Sequence, residues 1–487
     1  MRTGHGHAPV AQEEAAKLYT LEHLSLDVLT VIAAFLLPVD IIALRKTCKT
    51  LATYDLNNMS LTMLEHTATA PSRFLHLLRK HDTAGGGPHG TLYPMARQSL
   101  TLRLPMRPGM VPVKGDHFKD MLLVPGGRFL LATSQKHFHI WDLGENAYRG
   151  IKPLPIYVDD LRKMLGVSTE ALRNNSPNMT IYGAEQHGKI ILAMDCKGNG
   201  PGTVREVHVF EATLDPKGTD PVAVHRLGKL ECAFAVYLTS LSDPYIIIYA
   251  PYNQNATLVV WNYRRHTLAN LSEDQHFQAF IVGSSLIVPH WLGSALTVHR
   301  LPSPNAFRPT PRHPVTDADF HGQSGNLPMT TYVPNDGTWT LHKPWFYRSD
   351  ALPEFASISE THIGHIAMTE ILAPNTRGTL PEHLPELTVR LPHNIQDADL
   401  LQSHREGARC EDHTAVLFGN STCMAYRAAT DASVAAPVVV ALAHGKECVQ
   451  NDFCPASGRL CLLLQPLDQN SPSEILVWDF LVPDRAI

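Results

Sequence analysis

The chain has 487 residues, of which 44% are hydrophobic and 18% are charged, and its formal net charge is −5. This length predicts either several domains or one large repeat-built domain beside a small one. The composition is typical of folded proteins and excludes a largely disordered chain. No run of Lys or Arg exceeds two residues, which argues against a nucleic-acid partner.

The N-terminal region shows neither a secretory signal nor a membrane span. Residues 1–20 lack the apolar core that a signal peptide requires, and we expect them to form a disordered tail. The longest apolar stretch, Val28–Val39, has about twelve residues, short of the ~20 that cross a bilayer. The eight cysteines include no C-x-x-C pair, a pattern typical of reduced thiols. We therefore expect a cytoplasmic or nuclear protein, or one present in both compartments.

Residues 21–60 have the pattern of a small helical domain. Ser25 is placed to cap a helix whose first turn carries Asp27. Apolar residues then recur at helical spacing until Pro38 ends the run, and Asp40 opens a second helix that extends to Leu51. The sequence predicts two or three short helices here.

Residues 61–95 are predicted to connect this domain to the rest of the chain. An amphipathic helix is expected over residues 71–80, with Pro71 at a favoured first-turn position. The segment Thr83–Gly90 contains three consecutive glycines followed by a proline, which favours a flexible linker.

Residues 96–487 contain short β-type runs that recur and close on an aromatic residue. The clearest copy spans Phe118–Leu143 and contains Trp141-Asp142, and the last ends at Phe480 after Trp478-Asp479. Weaker copies end at Val209-Phe210, Val260-Trp261, Val298-His299, Trp339–Leu341 and Thr388-Val389. The intervals of about 40 to 70 residues are the size of a blade of four antiparallel strands.

A β-propeller is the predicted architecture of this part, because each blade buries its apolar faces only against its neighbours. We predict seven blades, with six to eight allowed by the pattern. A strand near Ser99–Leu104 is expected to close the ring against the last blade. The proline-rich segment Ser303–Ser359 has a faint β pattern and is predicted to be a long inter-blade insertion.

The segment from Leu24 to Leu51 resembles the F-box, a motif of three short helices. The matching residues, in the family's order and spacing, are Leu24-Ser25, Asp27, Val28-Leu29, Ile32, Phe35-Leu36, Pro38, Asp40-Ile41-Ile42, Leu44-Arg45 and Cys48-Lys49. Ser25 stands where the family usually has proline, and Leu51 stands near a common tryptophan. The remainder has a generic similarity to WD-repeat propellers, and the layout resembles F-box proteins of mushroom-lineage fungi.

The resemblance implies a substrate-recruiting subunit of an SCF-type ubiquitin ligase. The F-box would dock an Skp-type adaptor, and through it a cullin, while the propeller holds an unidentified protein substrate. The adaptor-binding residues implied by the motif are Leu24, Ser25, Leu29, Ile32, Phe35, Leu36, Pro38, Ile41, Leu44 and Cys48. Such a subunit catalyses nothing itself and acts by proximity.

The sequence offers no recognisable catalytic, cofactor or metal site. His137 and His139 would share one face of a strand, yet no further ligand stands at a known spacing, so surface or turn positions are expected for such histidines. Tryptophans 141, 261 and 478 are expected to pack between blades, and cysteines 448, 454 and 461 to be buried thiols. The pair Arg264-Arg265 is interpreted as an exposed turn, with binding of a phosphorylated peptide as the alternative.

Three alternatives stay open at this stage. The N-terminal helices are a plain structural bundle in the first. In the second, an F-box protein works with its adaptor outside the ligase, as a scaffold. In the third, the propeller is an enzyme whose carboxylates or metal ligands converge at one rim.

Overall fold

The computed structural model describes Ala70, residues 73–80 and most of 90–481. The gaps in this last range are 103–116, 125–126, 145–153, 168–177, 186–188, 198–203, 215–221, 253–254, 274–278, 283, 290–294, 317–318, 320–328, 333–337, 345–353, 359–361, 371–382, 393–406, 410–413, 419–421, 428–437, 443–447, 455–456 and 465–472. All described residues belong to one compact unit, Ala70–Pro483. The predicted tail and the predicted F-box lie outside the described residues.

The described part of the chain is mostly β-sheet. Its strands, in chain order, are β1 (Gly90–Leu92), β2 (Ala96–Thr101), β3 (Phe118–Leu123), β4 (Phe129–Ser134), β5 (His137–Asp142), β6 (Tyr157–Asp160), β7 (Asn178–Glu185), β8 (Lys189–Lys197), β9 (Arg205–Leu214), β10 (Val222–Cys232), β11 (Tyr237–Ser242), β12 (Tyr245–Tyr252), β13 (Asn255–Asn262), β14 (Thr267–Glu273), β15 (Phe280–Val282), β16 (Ser285–Pro289), β17 (Ala295–Arg300), β18 (Arg308–Pro309), β19 (Met329–Tyr332), β20 (Thr338–Pro344), β21 (Glu354–Ile358), β22 (His362–Glu370), β23 (His383–Pro392), β24 (Gly407–Arg409), β25 (Thr414–Phe418), β26 (Thr422–Arg427), β27 (Val438–Leu442), β28 (Cys448–Cys454), β29 (Arg459–Leu464) and β30 (Glu474–Asp479). Two α-helices accompany them, α1 (residues 73–80) and α2 (Leu161–Leu165), with a 3-10 turn at Pro304–Ala306.

These strands group into seven antiparallel units of four, as many as the sequence predicts. Blade I is β3–β6, blade II β7–β10, blade III β11–β14, blade IV β15–β17 with β19, blade V β20–β23, blade VI β24–β27, and blade VII β28–β30 with β2. Blades V and VI are joined into one sheet by parallel pairing of β20 with β24, and β1 adds a parallel edge strand to β27. Consecutive four-stranded meanders of this kind are the architecture of a β-propeller.

Runs of apolar residues form the central strands of blades I, II, III and VII because each of these blades is covered on both faces. On β12, Ile246 and Ile248 pack with residues of blade II, whereas Ile247 packs with Leu286 and Val288 of blade IV. A strand buried on both faces needs apolar residues at every position, which explains a continuous apolar run where a half-exposed strand would alternate. The core is therefore a series of apolar layers between neighbouring blades.

The ring is closed by pairing the beginning of the β domain with its end. Strand β2 pairs antiparallel with β30, so that Ala96 lies opposite Asp479 and Thr101 opposite Glu474. The strand predicted near Ser99–Leu104 is thus confirmed, with bounds shifted by three residues. Side chains then join blade VII to blade I: Gln450 exchanges hydrogen bonds with the backbone of Met121 (3.1 and 2.9 Å).

The predicted helix over residues 71–80 is present as α1 over residues 73–80, and it belongs to the core of the β domain. Phe74 is fully buried, with its ring centroid 4.8 Å from that of Phe453 and 5.4 Å from that of Phe480. Gly90, the last residue of the predicted linker, already begins β1. No helix among the described residues is long and apolar enough to span a membrane.

Three details of the predicted blade pattern are wrong. Trp339–Leu341 and Thr388-Val389 were expected to end two different blades, but they lie in β20 and β23, the first and last strands of blade V. Blade VI contains none of the predicted endings, although the total of seven agrees. Ser303–Ser359 was expected to be an insertion between blades, but it supplies β18 to the edge of blade III, β19 to blade IV, and β20 and β21 to blade V. Within blade IV, between β17 and β19, the chain crosses back to blade II, where Val315 bonds with the backbone of Glu231 (2.7 Å).

Candidate interaction surface

The innermost strands of three blades share a local irregularity near the end of the domain at which they begin. In β3, β11 and β28 the register with the second strand of the blade shifts by one residue, leaving Lys119, Thr239 and Val449 without a direct cross-strand partner. A bulge of this kind twists the strand and redirects its side chains, and bulges are common beside binding sites. The irregularity therefore marks the rim at which these strands begin.

Three side chains at this rim are exposed and form a candidate interaction surface. Val449 is 55% exposed and Tyr237 is 46% exposed, which is unusual for large apolar residues of a β domain. Lys119, at the bulge of β3, is exposed as well. Strand β3, which carries Lys119, lies beside β28, which carries Val449. Tyr237 is on β11, and β7 lies between β11 and β3. We call Lys119, Tyr237 and Val449 the rim surface.

Buried polar contacts hold the strands of this surface in place. The backbone N–H of Leu123 donates to Asp452 Oδ2 (2.7 Å), and that of Phe118 donates to Ser473 Oγ (2.5 Å). Because these acceptors are themselves buried, breaking either contact leaves an unsatisfied polar group. Blades VII and I therefore present Val449 and Lys119 on a rigid support.

A polar cluster lies in blade II, at the end of the sheet where β7 begins. Cys196 on β8 is directly opposite Glu206 on β9, and His208 is two residues further along β9, so all three side chains are on one face. His208 Nε2 lies 3.0 Å from Glu206 Oε2, and Lys229 Nζ lies 3.1 Å from Glu206 Oε1. Lys229 also contacts Glu231 Oε1 (2.8 Å). We call Cys196, Glu206, His208 and Lys229 the blade II cluster.

Burial and pairing set the protonation of this cluster. Burial lowers the pKa of His208, and its hydrogen bond with Glu206 only partly opposes this, so the imidazole is neutral at physiological pH. Burial raises the pKa of Glu206, but hydrogen bonds with His208 and Lys229 outweigh it and the net pKa is lowered. Burial, reinforced by the charge of Glu206, raises the pKa of the Cys196 thiol to about 12.

The residues predicted to bind the adaptor are not among those described. Leu24, Ser25, Leu29, Ile32, Phe35, Leu36, Pro38, Ile41, Leu44 and Cys48 all lie outside the described residues. Their assignment stays a prediction that depends on the motif alone.

Other residues that the sequence analysis singled out are placed by the structure. Tryptophans 141, 261 and 478 are fully buried between blades, and cysteines 448, 454 and 461 are buried, both as predicted. His137 and His139 do share a face of β5, with ring centroids 5.9 Å apart, but both are buried, so the expected surface position is wrong. Arg264 lies in a turn and is held by Asp243 through two hydrogen bonds (2.6 and 2.8 Å).

The blade II cluster was missed by the sequence analysis. Its one local signal is Glu206 and His208 at alternate positions of a strand, which place a carboxylate and an imidazole on the same face. The third member, Cys196, comes from another strand, and only the register of β8 with β9 brings it opposite Glu206.

No family model matches the chain, and no curated protein matches it. Solved structures similar to it include Hsv2 of Kluyveromyces lactis, at 11% identity and a TM-score of 0.39, covering 74% of this chain and 96% of that chain. The WD40 domain of SCAP from fission yeast is 8% identical with a TM-score of 0.37, over 75% of this chain and 82% of that chain. The complex of the Nup170 N-terminal domain with Nup53 from Chaetomium thermophilum is 9% identical with a TM-score of 0.39, over 85% of this chain and 68% of that chain.

These structural neighbours are WD40 and β-propeller proteins. At TM-scores below 0.5 the likeness carries no argument about function. The description of this chain as a β-propeller depends instead on its strand order and its closure by β2.

Proposed function

We propose that this protein is a substrate-recruiting F-box subunit of an SCF-type ubiquitin ligase, present in the cytoplasm, the nucleus or both. The observation that carries the proposal is the order and spacing of the residues from Leu24 to Leu51. In this proposal the apolar residues of that segment dock an Skp-type adaptor, in the manner of a helix in a groove. The adaptor connects the chain to a cullin.

The β-propeller is the substrate-binding part in this proposal. A rigid ring with exposed apolar and aromatic side chains at one rim is suited to protein binding, because large apolar anchors supply most of the energy of such contacts. The rim surface has this character: it presents a tyrosine, a valine and a lysine, and the strands of the valine and the lysine are held by buried hydrogen bonds. No catalytic step is assigned to the chain, since its role is to keep the substrate close to the ubiquitin-charged enzyme.

The adaptor interaction is tested by a pull-down of the purified full-length chain with an Skp-type adaptor. The double variant Leu36→Asp/Ile41→Asp places charges on the predicted docking face and is expected to abolish binding. The double variant Thr30→Asp/Thr50→Asp adds the same charge in the same segment at positions outside the motif, and it is expected to bind. Failure of the folded wild-type chain to bind the adaptor would overturn the proposal.

A second candidate, an F-box scaffold outside the ligase, is favoured by the same motif and makes a different prediction. If the chain is isolated from cells with both adaptor and cullin, the ligase proposal is supported. If it is isolated repeatedly with the adaptor but without cullin, the scaffold is the correct description. A chain isolated with neither contradicts both.

A further inference from the structure

We propose that the blade II cluster is a zinc site whose ligands are the Cys196 thiolate, the Glu206 carboxylate and the His208 imidazole. One ligand atom from each of these three residues lies within 4.8 Å of the other two, and all three residues are buried. Sulfur, nitrogen and oxygen donors of these types are the ones that Zn²⁺ takes in proteins. The site is independent of the proposed function of the chain.

The register of the sheet holds these three side chains together without any help from a loop. Cys196 and Glu206 are direct cross-strand partners, and His208 follows Glu206 by two residues on the same face. Opposite residues of an antiparallel pair have Cβ atoms about 5 Å apart, a spacing that small movements of side chains convert to that of metal ligands. The ligand geometry is thus imposed by β8 and β9.

His208 turns one ring nitrogen toward the other members of the cluster. Its Nε2 lies 3.0 Å from Glu206 Oε2, so Nε2 is the nitrogen placed to bind a cation held by Glu206. A neutral imidazole binds through Nε2 when its proton is on Nδ1, which requires only a change of tautomer.

The charges around the cluster are compatible with a divalent cation. A Zn²⁺ ion bound by one thiolate and one carboxylate forms a neutral centre, which is the form that a buried site tolerates. Lys229 pairs with Glu206, but it also contacts Glu231 (2.8 Å). Glu206 is therefore able to turn to the metal while the ammonium group keeps a carboxylate partner. The fourth tetrahedral position is left to water or another donor.

The test uses the purified full-length chain, freed of metal and titrated with Co²⁺ as a spectroscopic substitute for Zn²⁺. We expect one equivalent to give the near-ultraviolet thiolate-to-cobalt absorption, and Zn²⁺ to displace it. Cys196→Ser is expected to lose this absorption. His208→Gln, which keeps the thiol, is expected to weaken Zn²⁺ binding in a competition titration with a chromogenic chelator by at least about tenfold, equivalent to ~1.4 kcal/mol.

The matched control is Cys232→Ser, because Cys232 is a buried thiol on β10, in the same blade, and packs in the layer toward blade III. This variant is expected to keep the cobalt absorption. Absence of the absorption in the wild-type chain, its persistence in Cys196→Ser, or its equal loss in Cys232→Ser would each overturn the proposal. If Cys196→Ser does not fold, unchanged Zn²⁺ affinity of His208→Gln overturns it alone.

Discussion

The same ion pair occurs twice in the domain, once buried and once at the surface, and this duplication allows its contribution to be measured. In blade VII, Arg459 at the start of β29 forms two hydrogen bonds with Asp479 at the end of β30 (2.7 and 2.9 Å). In blade I, Arg128 and Asp142 occupy the corresponding turns and bond in the same way (3.0 and 2.9 Å). We propose Asp479→Asn and Asp142→Asn as a matched pair of variants.

The expected effects differ because the two pairs differ in solvent exposure. The side chains of Arg459 and Asp479 are 1% and 3% exposed, whereas those of Arg128 and Asp142 are 36% and 19% exposed. Removing one partner of a buried pair leaves an uncompensated charge, at a cost of about 3–5 kcal/mol. A surface pair contributes about 0–1 kcal/mol. Asp479→Asn should therefore lower the free energy of unfolding by several times as much as Asp142→Asn.

The assay is urea unfolding of the full-length variants, followed by tryptophan fluorescence and circular dichroism. We expect a large decrease of the unfolding midpoint for Asp479→Asn and a small one for Asp142→Asn. Arg459 also donates to the carbonyls of Gly127 (2.5 Å) and Gly144 (3.0 Å) of blade I. Asp479→Asn should therefore also weaken the contact between blade VII and blade I. Equal, small decreases in both variants would refute the reasoning that burial decides the cost.

Two further predictions follow from packing. Phe74→Ala should lower the free energy of unfolding by about 3–5 kcal/mol, because Phe74 of α1 is part of the core. His76→Ala, on the exposed side of the same helix, should change it little. Equal melting temperatures for the two variants would contradict the packing of α1 against the β domain. Gly458→Ala should be more destabilising than Gly166→Ala. Both glycines have positive φ (63° and 76°), so the backbone strain of the substitution is similar. At Gly458, however, the added Cβ would lie 2.7 Å from Leu481 Cδ1, whereas at Gly166 it would meet nothing within 4 Å. Equal melting temperatures for these two variants would show that the contact with Leu481 relaxes freely.

The strands of blades I and VII were predictable because their signals are local. Gly127 and Gly458 each lie in the turn before the second strand of a blade, and Trp141-Asp142 and Trp478-Asp479 each end the third strand. The turn glycine, the apolar run and the closing aromatic residue lie within a short stretch of chain, so pattern and structure coincide. The pairing of β2 with β30 was also predictable, since a propeller needs a strand to complete its last blade.

The segment Ser303–Ser359 was not predictable, because its strands are defined by distant partners. Strand β18 is two residues long and contains Pro309, and it is a strand only because β14 offers an edge. Proline is tolerated in such an edge strand, because a backbone N–H that faces away from the sheet is not needed for a hydrogen bond between strands. Val315 similarly finds its partner in Cys232 of another blade. Intrinsic preference contributes little where tertiary contacts decide the conformation.

The blade II cluster shows why a candidate site is harder to predict than a strand. The chain has 27 histidines, so one Glu-x-His pattern is not distinctive. What distinguishes His208 is its position in the sheet, opposite Met194 and on the same face as Cys196. This position depends on the register of β8 with β9, which sequence patterns do not determine. The adaptor-binding residues, in contrast, are predicted from a motif within one short segment and need no register.

The pairing of β2 with β30 also has a consequence for synthesis on the ribosome. Strand β2 emerges before most of the domain, but its sheet partner, β30, is the last of the described strands in chain order. At about 5–20 residues per second, the wait is on the order of 20–80 s. During that time an unpaired edge is exposed to other nascent chains and to chaperones. A chain that stops before Glu474 would leave β2 permanently without its partner, so incomplete products should be strongly aggregation-prone.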